Sequence, residues 1–305
     1  MPKSTYLDLV KACDNFPYDD SAGPIYKLYL PNDDRPHGFM LPEIVENMPW
    51  TDDFEVDNEN LTVQLQQRPS TSSTTAFARV INSAIENDVF DTLHGKHSEL
   101  YPILGARHPV QFERFAGDLF GFIARGAHLT IYTVTDRGMM IWVPRRSSHM
   151  FTYPNKLDTT VAGGVPAHQT PFENVVQEAD EEASLPADLI KRGVRAAGAL
   201  TYQGLSTESN GAKESLIVSD VVYVYDLEVG QEVKPVPKDD EVKEFYLMSV
   251  DEVKAALARE EFKTNSAVVM IDFFIRHGII TAENEADYVE IVTRMHRKLP
   301  FPTTG

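Results

Sequence analysis

A glycine pair followed by a capped, glutamate-rich helix, within residues 162–185, constrains this 305-residue chain more than any other feature. Thr170, Pro171 and Glu173 together form a helix start. Threonine caps the first turn, proline suits the first helical position, and a glutamate three residues after the cap completes a capping box. The sequence therefore predicts a helix over Pro171–Ala183.

One face of that helix carries three glutamates, Glu178, Glu181 and Glu182, at the spacing i, i+3 and i+4. Their Cβ atoms would lie about 5–6 Å apart, so the carboxylates repel one another. A hard divalent cation such as Mg²⁺ or Mn²⁺ would remove that repulsion, and it would also bridge to phosphate oxygens. A solvated acidic helix face is the alternative. The glycine pair Gly163-Gly164 favours a site, because glycine lets the backbone approach a ligand closely.

The composition excludes several classes of function. With 28 basic and 46 acidic residues the net charge is −18, which argues against a nucleic-acid partner because such a chain repels phosphate backbones. Cys13 is the single cysteine, so there is neither an internal disulfide framework nor a multi-cysteine zinc site. No run approaches the roughly 18 apolar residues that a membrane span needs. We therefore expect a cytoplasmic protein without a membrane partner.

A change in pattern near residue 118 predicts two domains. The segment Leu119–Thr135 is apolar and rich in strand-forming residues, and Met139–Val143 answers it after a turn at Asp136–Gly138. This hairpin begins a second unit. We expect a small α+β domain over residues 1–118 and a second domain over 119–305.

Hydrophobic periodicity and turn signals predict the remaining elements. The first helix begins after Ser4 or Thr5, and its apolar stripe includes Cys13, which is expected to be buried. Strands are predicted at Ile25–Leu30, Phe54–Gln66, Val194–Tyr202, Leu216–Leu227 and Val242–Met248. Further helices are predicted at about Thr75–Asn87, Val250–Ala258, Ser266–Arg276 and Asn284–Arg297.

The glycine pair and the helix together resemble the signature of the Nudix hydrolase family, G-x5-E-x7-R-E-U-x-E-E-x-G-U, in which U is apolar. The matching residues are Gly163, Gln169 and the run from Gln177 through Glu178, Glu181 and Glu182 to Ser184 and Leu185. The three metal-binding glutamates of the family are present. Gln169 replaces the first glutamate, Gln177 the arginine and Ser184 the last glycine. In the family the arginine orients the first metal-binding glutamate, and Gln177 offers only a neutral hydrogen bond for that role.

The surrounding sequence resembles one Nudix branch, the Nudix domain of fungal thiamin pyrophosphokinases with its free-standing fungal and plant relatives. The resemblance lies in Trp142–Ser147, Lys156–Asp158, Val161–Val165 and Asp180–Pro186. It implies an α/β/α sandwich with a mixed sheet, preceded by a small α+β domain, so that the fold class is α+β.

For activity, the resemblance implies a pyrophosphohydrolase that uses Mg²⁺ or Mn²⁺ and cleaves a small-molecule diphosphate to a monophosphate and phosphate. Thiamin diphosphate or its damaged oxo and oxy analogues are the expected substrates. Another nucleoside-diphosphate-linked metabolite, of the ADP-ribose or NADH type, is an alternative. A binding module that senses a diphosphate without cleaving it is a third hypothesis, prompted by Gln169 and Gln177. The expected assembly is a monomer or a homodimer.

Within this hypothesis, Glu178, Glu181 and Glu182 are the metal ligands, and Glu181 and Glu182 are also assigned to catalysis. The main-chain carbonyl of Ala162 or Gly163 is expected to be a further ligand.

Other candidates lie outside the motif. Glu241 is the candidate for a distant ligand or general base, and a solvated turn charge is its alternative. Arg145, Arg146 and Lys156 are expected to grip the diphosphate, unless they are only surface charges. Trp142 is a candidate for stacking on a heterocycle, although a tryptophan in a strand is more often part of the core.

Overall fold

The computed structural model describes residues 3–93, 99–206 and 215–304. The helices in these residues are α1 (Tyr6–Cys13), α2 (Pro42–Asn47), α3 (Ser73–Glu86), α4 (Gly117–Phe120), α5 (Pro171–Ala183), α6 (Ala187–Gly193), α7 (Val250–Ala258), α8 (Thr264–Arg276) and α9 (Tyr288–Arg294). The strands are β1 (Tyr26–Tyr29), β2 (Pro36–Met40), β3 (Phe54–Asp57), β4 (Thr62–Leu65), β5 (Leu100–Pro102), β6 (Gln111–Glu113), β7 (Ile123–Thr135), β8 (Gly138–Arg146), β9 (Val161–Gly164), β10 (Arg195–Leu205), β11 (Ile217–Glu228) and β12 (Val242–Ser249). None of these helices has the length and apolar character that a membrane crossing requires.

The larger sheet is mixed and forms the middle layer of an α/β/α sandwich. Its strand order is β10-β11-β7-β8-β12, and β9 also pairs with β7. Strands β11 and β7 are parallel, whereas the other pairs are antiparallel. Helices α5 and α6 cover one face through an apolar cluster that contains Val175, Ala179 and Ile190. Helices α1, α7, α8 and α9 pack on the other face. The predicted fold class is confirmed.

The N-terminal part contains its own sheet, with the order β2-β1-β4-β3. Helix α3 covers this sheet, and Phe77 from that helix makes edge-to-face contacts with Phe120 and Phe122. Aromatic pairs at such distances add to the stability gained from buried area alone. The two parts meet at several points, including a bridge between Gly38 and Phe122 and a hydrogen bond from Ala167 N to Leu100 O of 2.8 Å.

Helix α1 is not part of the N-terminal cluster. Its Leu9, Val10 and Cys13 are buried in the cluster that α7, α8 and α9 form against the larger sheet. A boundary at residue 118 therefore separates α1 from the residues against which it packs. Apolar periodicity predicts the helix and the burial of Cys13, but it does not identify the surface that the apolar stripe meets.

Most predicted elements are found within a few residues of their expected bounds, and α5 and α7 match them. Two predictions were wrong in their extent. The segment Phe54–Gln66 is a hairpin of two strands, β3 and β4, and the last helix is confined to α9, much shorter than Asn284–Arg297. Strand β9 was not predicted, and two of its four residues are glycines. Pairing with β7 outweighs the weak strand preference of those glycines.

Candidate active site

Local capping and burial fix the position of α5. Thr170 Oγ1 accepts a hydrogen bond from Glu173 N (3.2 Å), and Glu173 Oε2 accepts one from Thr170 N (2.9 Å). Val175 and Ala179 are completely buried against the sheet. This burial sets the rotation of the helix, so that Glu178 and Glu182 are directed towards β9.

The helix ends at Ser184, which adopts a left-handed conformation with φ 54° and ψ 30°. Glycine takes this conformation without steric cost, whereas other residues pay roughly 1–2 kcal/mol. The geometry explains why the family motif has glycine at this position. Serine is accommodated here, as its N–H still bonds to Asp180 O at 3.2 Å.

Glycine is required at Gly163 because the Glu178 side chain lies directly against its Cα. A Cβ at this position would overlap the Glu178 carboxylate. Gly126 does not have this constraint. It lies on the adjacent strand β7, where it pairs with Gly164 of β9, and a Cβ at this position would lie at an ordinary distance of 3.7 Å from Gly163 O. The glycine pair therefore brings the β9 backbone and a glutamate of α5 into direct contact.

Asn174 links β9, the loop that follows it and α5, and no sequence motif had indicated this residue. Its Nδ2 donates to Gly164 O (2.9 Å) and lies 3.3 Å from both Gln169 Oε1 and Glu178 Oε1. The residue is only 2% exposed. Its position four residues before Glu178, on the same helix face, was the available signal.

Two of the three motif glutamates are enclosed by protein, and neither forms an ion pair within residues 3–93, 99–206 and 215–304. Glu182 is 7% exposed, and its Oε2 accepts a hydrogen bond from Ala162 N at 3.1 Å. Burial, and then the charge of Glu178, raises the pKa of Glu182 well above its usual value. Burial, and then the charge of Glu181, raises the pKa of Glu178 to about 7. The described residues thus favour the protonated form of both side chains, whereas a bound cation would favour the ionised form.

Glu181 is exposed and has a different partner. Its Oε1 accepts a hydrogen bond from Gln177 Nε2 at 3.0 Å, and Gln169 donates in turn to Gln177 Oε1. In the family the arginine at the position of Gln177 orients the first metal-binding glutamate. Gln177 contacts Glu181 rather than Glu178, since Gln177 and Glu181 are one helical turn apart and on the solvent side.

Glu241 comes close to the motif glutamates from the segment that precedes β12. Its charge contributes to the raised pKa values of both Glu178 and Glu182. Its main-chain oxygen accepts a hydrogen bond from Ser147 N at 2.8 Å, which holds the segment against the end of β8. The assignment of Glu241 as a ligand or base stays a prediction.

The basic side chains that were predicted to bind the diphosphate form hydrogen bonds and ion pairs with other parts of the protein. Arg145 donates to Tyr246 Oη (3.2 Å) and Asn155 O (2.8 Å). Arg146 forms a buried ion pair with Asp158 at 3.2 Å, and Lys156 donates to Glu260 O at 2.6 Å. The alternative, that these basic residues are only surface charges, does not apply to Arg146, because Arg146 is buried. Binding of a diphosphate by these residues stays a prediction.

Trp142 lies in the apolar cluster beneath α5 and is 9% exposed. The core interpretation of this residue agrees with its position. Stacking on a substrate heterocycle would need the indole to leave that cluster.

The N-terminal part contributes residues to this site that no motif indicated. Tyr101 of β5 lies against Gly164, where a Cβ would overlap its hydroxyl, and Arg114 Cζ lies 3.6 Å from the same point. Burial raises the pKa of Tyr101 to about 12, with Arg114 opposing and Glu99 and Glu178 adding to the shift. The hydroxyl therefore stays protonated and is able to donate. Tyr101 and Arg114 lie about fifty to sixty positions before the motif, so sequence spacing gave no signal.

The donor set suits a hard divalent cation in chemistry, although its geometry is not already that of a metal site. Among the described residues, no group of three or more His, Cys, Asp or Glu side chains is arranged so that it could hold a metal ion. Glu178 and Glu182 nevertheless offer enclosed carboxyl oxygens that have no cation as partner among the described residues. Such oxygens are the ligands that Mg²⁺ and Mn²⁺ prefer. Glu181 accepts from Gln177 with Oε1, and its second carboxylate oxygen remains available for an ion.

Comparison with known proteins decides the family. The sequence model of the NUDIX domain matches residues 125–269, which include β9, α5 and all three motif glutamates. Residues 125–269 form a Nudix domain. The expected family is thereby confirmed, and the contacts at Gly163 are contacts within the Nudix motif.

Relatives extend the likeness beyond this domain. The Saccharomyces cerevisiae protein YJR142W, described as uncharacterized, is 40% identical over 216 residues, 68% of this chain and 63% of its own. Nudix hydrolase 20, chloroplastic, of Arabidopsis thaliana is 31% identical over 242 residues, 78% of this chain and 62% of its own. The chain thus spans about three fifths of the length of these relatives. Among solved structures, a C. elegans Ap4A hydrolase complex matches 52% of this chain and 100% of its own at 12% identity, with a TM-score of 0.37.

Proposed function

We propose that the protein is a pyrophosphohydrolase that depends on a divalent metal ion and cleaves a diphosphate linkage in a small molecule. One observation carries the proposal: Glu178 and Glu182 are held close together against β9 in enclosed positions, with no cation as partner among the described residues. Leaving like charges together is costly, and a cation with a bound diphosphate would remove that cost. A purely structural acidic face would have no reason to enclose two of its glutamates.

The proposed ligands for Mg²⁺ or Mn²⁺ are Glu178, Glu181 and Glu182, together with the main-chain carbonyl of Ala162 or Gly163. When bound, such an ion lowers the pKa of water and neutralises charge that develops on the phosphate groups. The Nudix domain itself supplies the positions of these oxygens through the contact between α5 and β9.

The chain's own residues have distinct roles in this proposal. Glu241 accepts a proton from the attacking water. Asn174 holds Glu178 in place through Nδ2, while it ties the helix to Gly164 O. Gln177 keeps Glu181 available near the surface by a neutral hydrogen bond, which is weaker than the charged bond an arginine would make.

For the substrate we favour thiamin diphosphate or its oxo and oxy analogues. The support is the resemblance of Trp142–Ser147, Lys156–Asp158 and Val161–Val165 to the Nudix branch that precedes the kinase of fungal thiamin pyrophosphokinases. Metabolites of the ADP-ribose or NADH type are the alternative within the same chemistry.

A second candidate function is a binding module with weak or no catalysis. The hydrogen-bonded series from Gln169 through Gln177 to Glu181 favours the binding module. Two neutral amides occupy the positions at which the Nudix motif has a glutamate and an arginine. The three retained glutamates favour the enzyme.

A panel of substrates tests these alternatives: thiamin diphosphate, its oxo and oxy forms, ADP-ribose, NADH and nucleoside triphosphates. Each is incubated with Mg²⁺, with Mn²⁺ and with a chelator, and released phosphate and monophosphate are measured. Metal-dependent cleavage of the thiamin compounds alone supports the proposal in full. Cleavage of another compound retains the reaction and rejects the substrate. Saturable binding without any product favours the binding module.

The cytoplasmic location stays a prediction, and both Arabidopsis relatives carry "chloroplastic" in their names. The monomeric or dimeric state likewise stays a prediction. Size-exclusion chromatography with light scattering would measure it directly.

A further inference from the structure

A bound diphosphate needs hydrogen-bond donors, and the acidic face of α5 supplies none from its glutamates. The cations that the sequence suggested are bonded elsewhere: Arg145 to Tyr246, Arg146 to Asp158 and Lys156 to Glu260. A further set of donors lies in the N-terminal part of the chain, on Tyr101 and Arg114.

Tyr101 has the position and the unused hydrogen-bonding capacity. It is 5% exposed, and its Oη has no hydrogen-bond partner among the described residues. A buried hydroxyl without a partner costs about 1–3 kcal/mol, so such a group calls for an explanation. The hydroxyl lies against Gly164, the next residue after the glycine that contacts Glu178.

Arg114 adds a positive charge at the same point. Its Cζ lies 5.6 Å from the centroid of the Tyr101 ring and 3.6 Å from the Cβ position of Gly164. One Nη bonds to Glu99 at 2.9 Å, and the side chain remains 46% exposed. The guanidinium therefore keeps donors for a second partner, and guanidinium is well suited to phosphate oxygens.

The segment that carries both residues is firmly attached to the Nudix motif. Leu100 O accepts a hydrogen bond from Ala167 N at 2.8 Å, in the loop that leads to α5. Arg125 of β7 supports the same loop, because its Nη2 donates to Pro166 O (3.0 Å) and Val165 O (3.3 Å). Tyr101 and Arg114 are thus fixed relative to the glutamates before any ligand binds.

From this arrangement we infer that Tyr101 and Arg114 form a phosphate-binding site beside Gly164, contributed by the N-terminal part of the chain. The Tyr101 hydroxyl and a free Arg114 N–H donate to non-bridging oxygens of one phosphoryl group of the substrate. The inference rests on the proposed function, since it assigns the donors for the diphosphate that the glutamates serve. It also gives the N-terminal part a role in substrate recognition.

Calorimetric titration with imidodiphosphate, a diphosphate analogue with a P–N–P link, tests this site in the presence of excess Mg²⁺. The full chain is compared with Tyr101→Phe and Arg114→Gln. A hydrogen bond to a charged group is worth about 1.5–3 kcal/mol, so each variant should bind roughly 10- to 100-fold more weakly. Arg114→Lys should recover part of the loss, because it restores the charge without the guanidinium geometry.

Arg107→Gln is the matched control. Like Arg114, Arg107 is an arginine of the N-terminal part that is about half exposed and paired with a carboxylate. Its partners are Asp33 and Asp34. This variant should bind the analogue within about twofold of the unmodified chain. Thermal melting of every variant separates a folding defect from a loss of affinity, since a structural role would lower the melting temperature without changing the affinity of the folded protein.

The outcomes separate this inference from the proposed function. Unchanged affinity in Tyr101→Phe and Arg114→Gln overturns the inference, even if the protein hydrolyses a compound of the panel. Absence of saturable binding to the unmodified chain overturns it as well. Weakened binding in both variants supports the inference, and if the panel then yields no product, only the hydrolytic proposal fails.

Discussion

Asp158 and Glu182 are both buried carboxylates of the Nudix domain, with exposed fractions of 3% and 7%, yet their surroundings are opposite. Asp158 is paired with Arg146 at 3.2 Å and Lys263 at 4.0 Å, and Ser266 donates to it. Burial alone would raise the pKa of Asp158, but the charges of Lys263, His128 and Arg146 outweigh it and lower the pKa. The pKa of Glu182 is raised by the same burial, with Glu178 as its charged neighbour.

The difference separates a carboxylate that stabilises the fold from one that is available for function. The charges around Asp158 are supplied by the chain itself, so this group needs nothing further. Glu182 receives one main-chain hydrogen bond, from Ala162 N, and has no cation as partner in the part of the chain that the structure describes. Burying an ionisable group without a partner has a stability cost, and groups with pKa values perturbed in this way cluster at functional sites. The following predictions test that distinction.

The largest effect is expected for Glu182→Gln. Turnover should fall by about 100-fold or more, since even the outer partners of metal ligands are worth about 10- to 100-fold. Stability should be unchanged or higher, because the amide removes a buried ionisable group and still accepts from Ala162 N. Steady-state hydrolysis of the panel's best substrate and thermal melting measure the two effects. Full activity in this variant would reject the metal assignment.

Asp158→Asn should show the reverse behaviour. Removing one partner of a buried ion pair costs about 3–5 kcal/mol, and here Arg146 and Lys263 would lose their carboxylate. Denaturant unfolding measures the loss, and turnover of the folded protein should stay near the unmodified value. Asp34→Asn is the control, because Asp34 is exposed and its pairing with Arg107 is worth little. Equal stability of the two variants would contradict the comparison.

Gly163→Ala should lower activity by roughly 10- to 100-fold, since displacing a catalytic group by about 1 Å can cost that much. The new Cβ would overlap the Glu178 carboxylate and force it away from β9. Gly126→Ala on the neighbouring strand should be close to neutral, because its Cβ has 3.7 Å of space. If both substitutions reduce the rate equally, the contact between Gly163 and Glu178 is not what matters.

The smallest effect concerns Asp220, an enclosed carboxyl outside the motif. Burial, and then the charge of Asp118, raises the pKa of Asp220 to about 7, against 3.8 for the free side chain. A raised carboxyl pKa stabilises the fold below the unfolded pKa, and this contribution is lost as pH rises through about 7. Asp220→Asn should therefore match the unmodified chain near pH 4 and have a higher melting temperature near pH 8. A difference in melting temperature that does not depend on pH would argue against this shift.

The sequence predicted the parts of the site that are local. The capping box, the limits of α5 and the spacing of its glutamates depend on residues within one or two helical turns. The resemblance to the Nudix motif then gave the family. Missing were features that depend on a distant partner, such as strand β9, which exists through its pairing with β7.

The sequence by itself determined that this chain has a capped helix with three glutamates on one face, within a Nudix domain. Backbone propensity, capping and helical spacing act between near neighbours, so they can be recognised in the sequence. Only the tertiary structure decided which buried carboxylates are neutralised, and that Tyr101 and Arg114 lie beside Gly164. Burial and the distances between charges are set by contacts between residues far apart in the chain, and those contacts exist only after the sheet has formed.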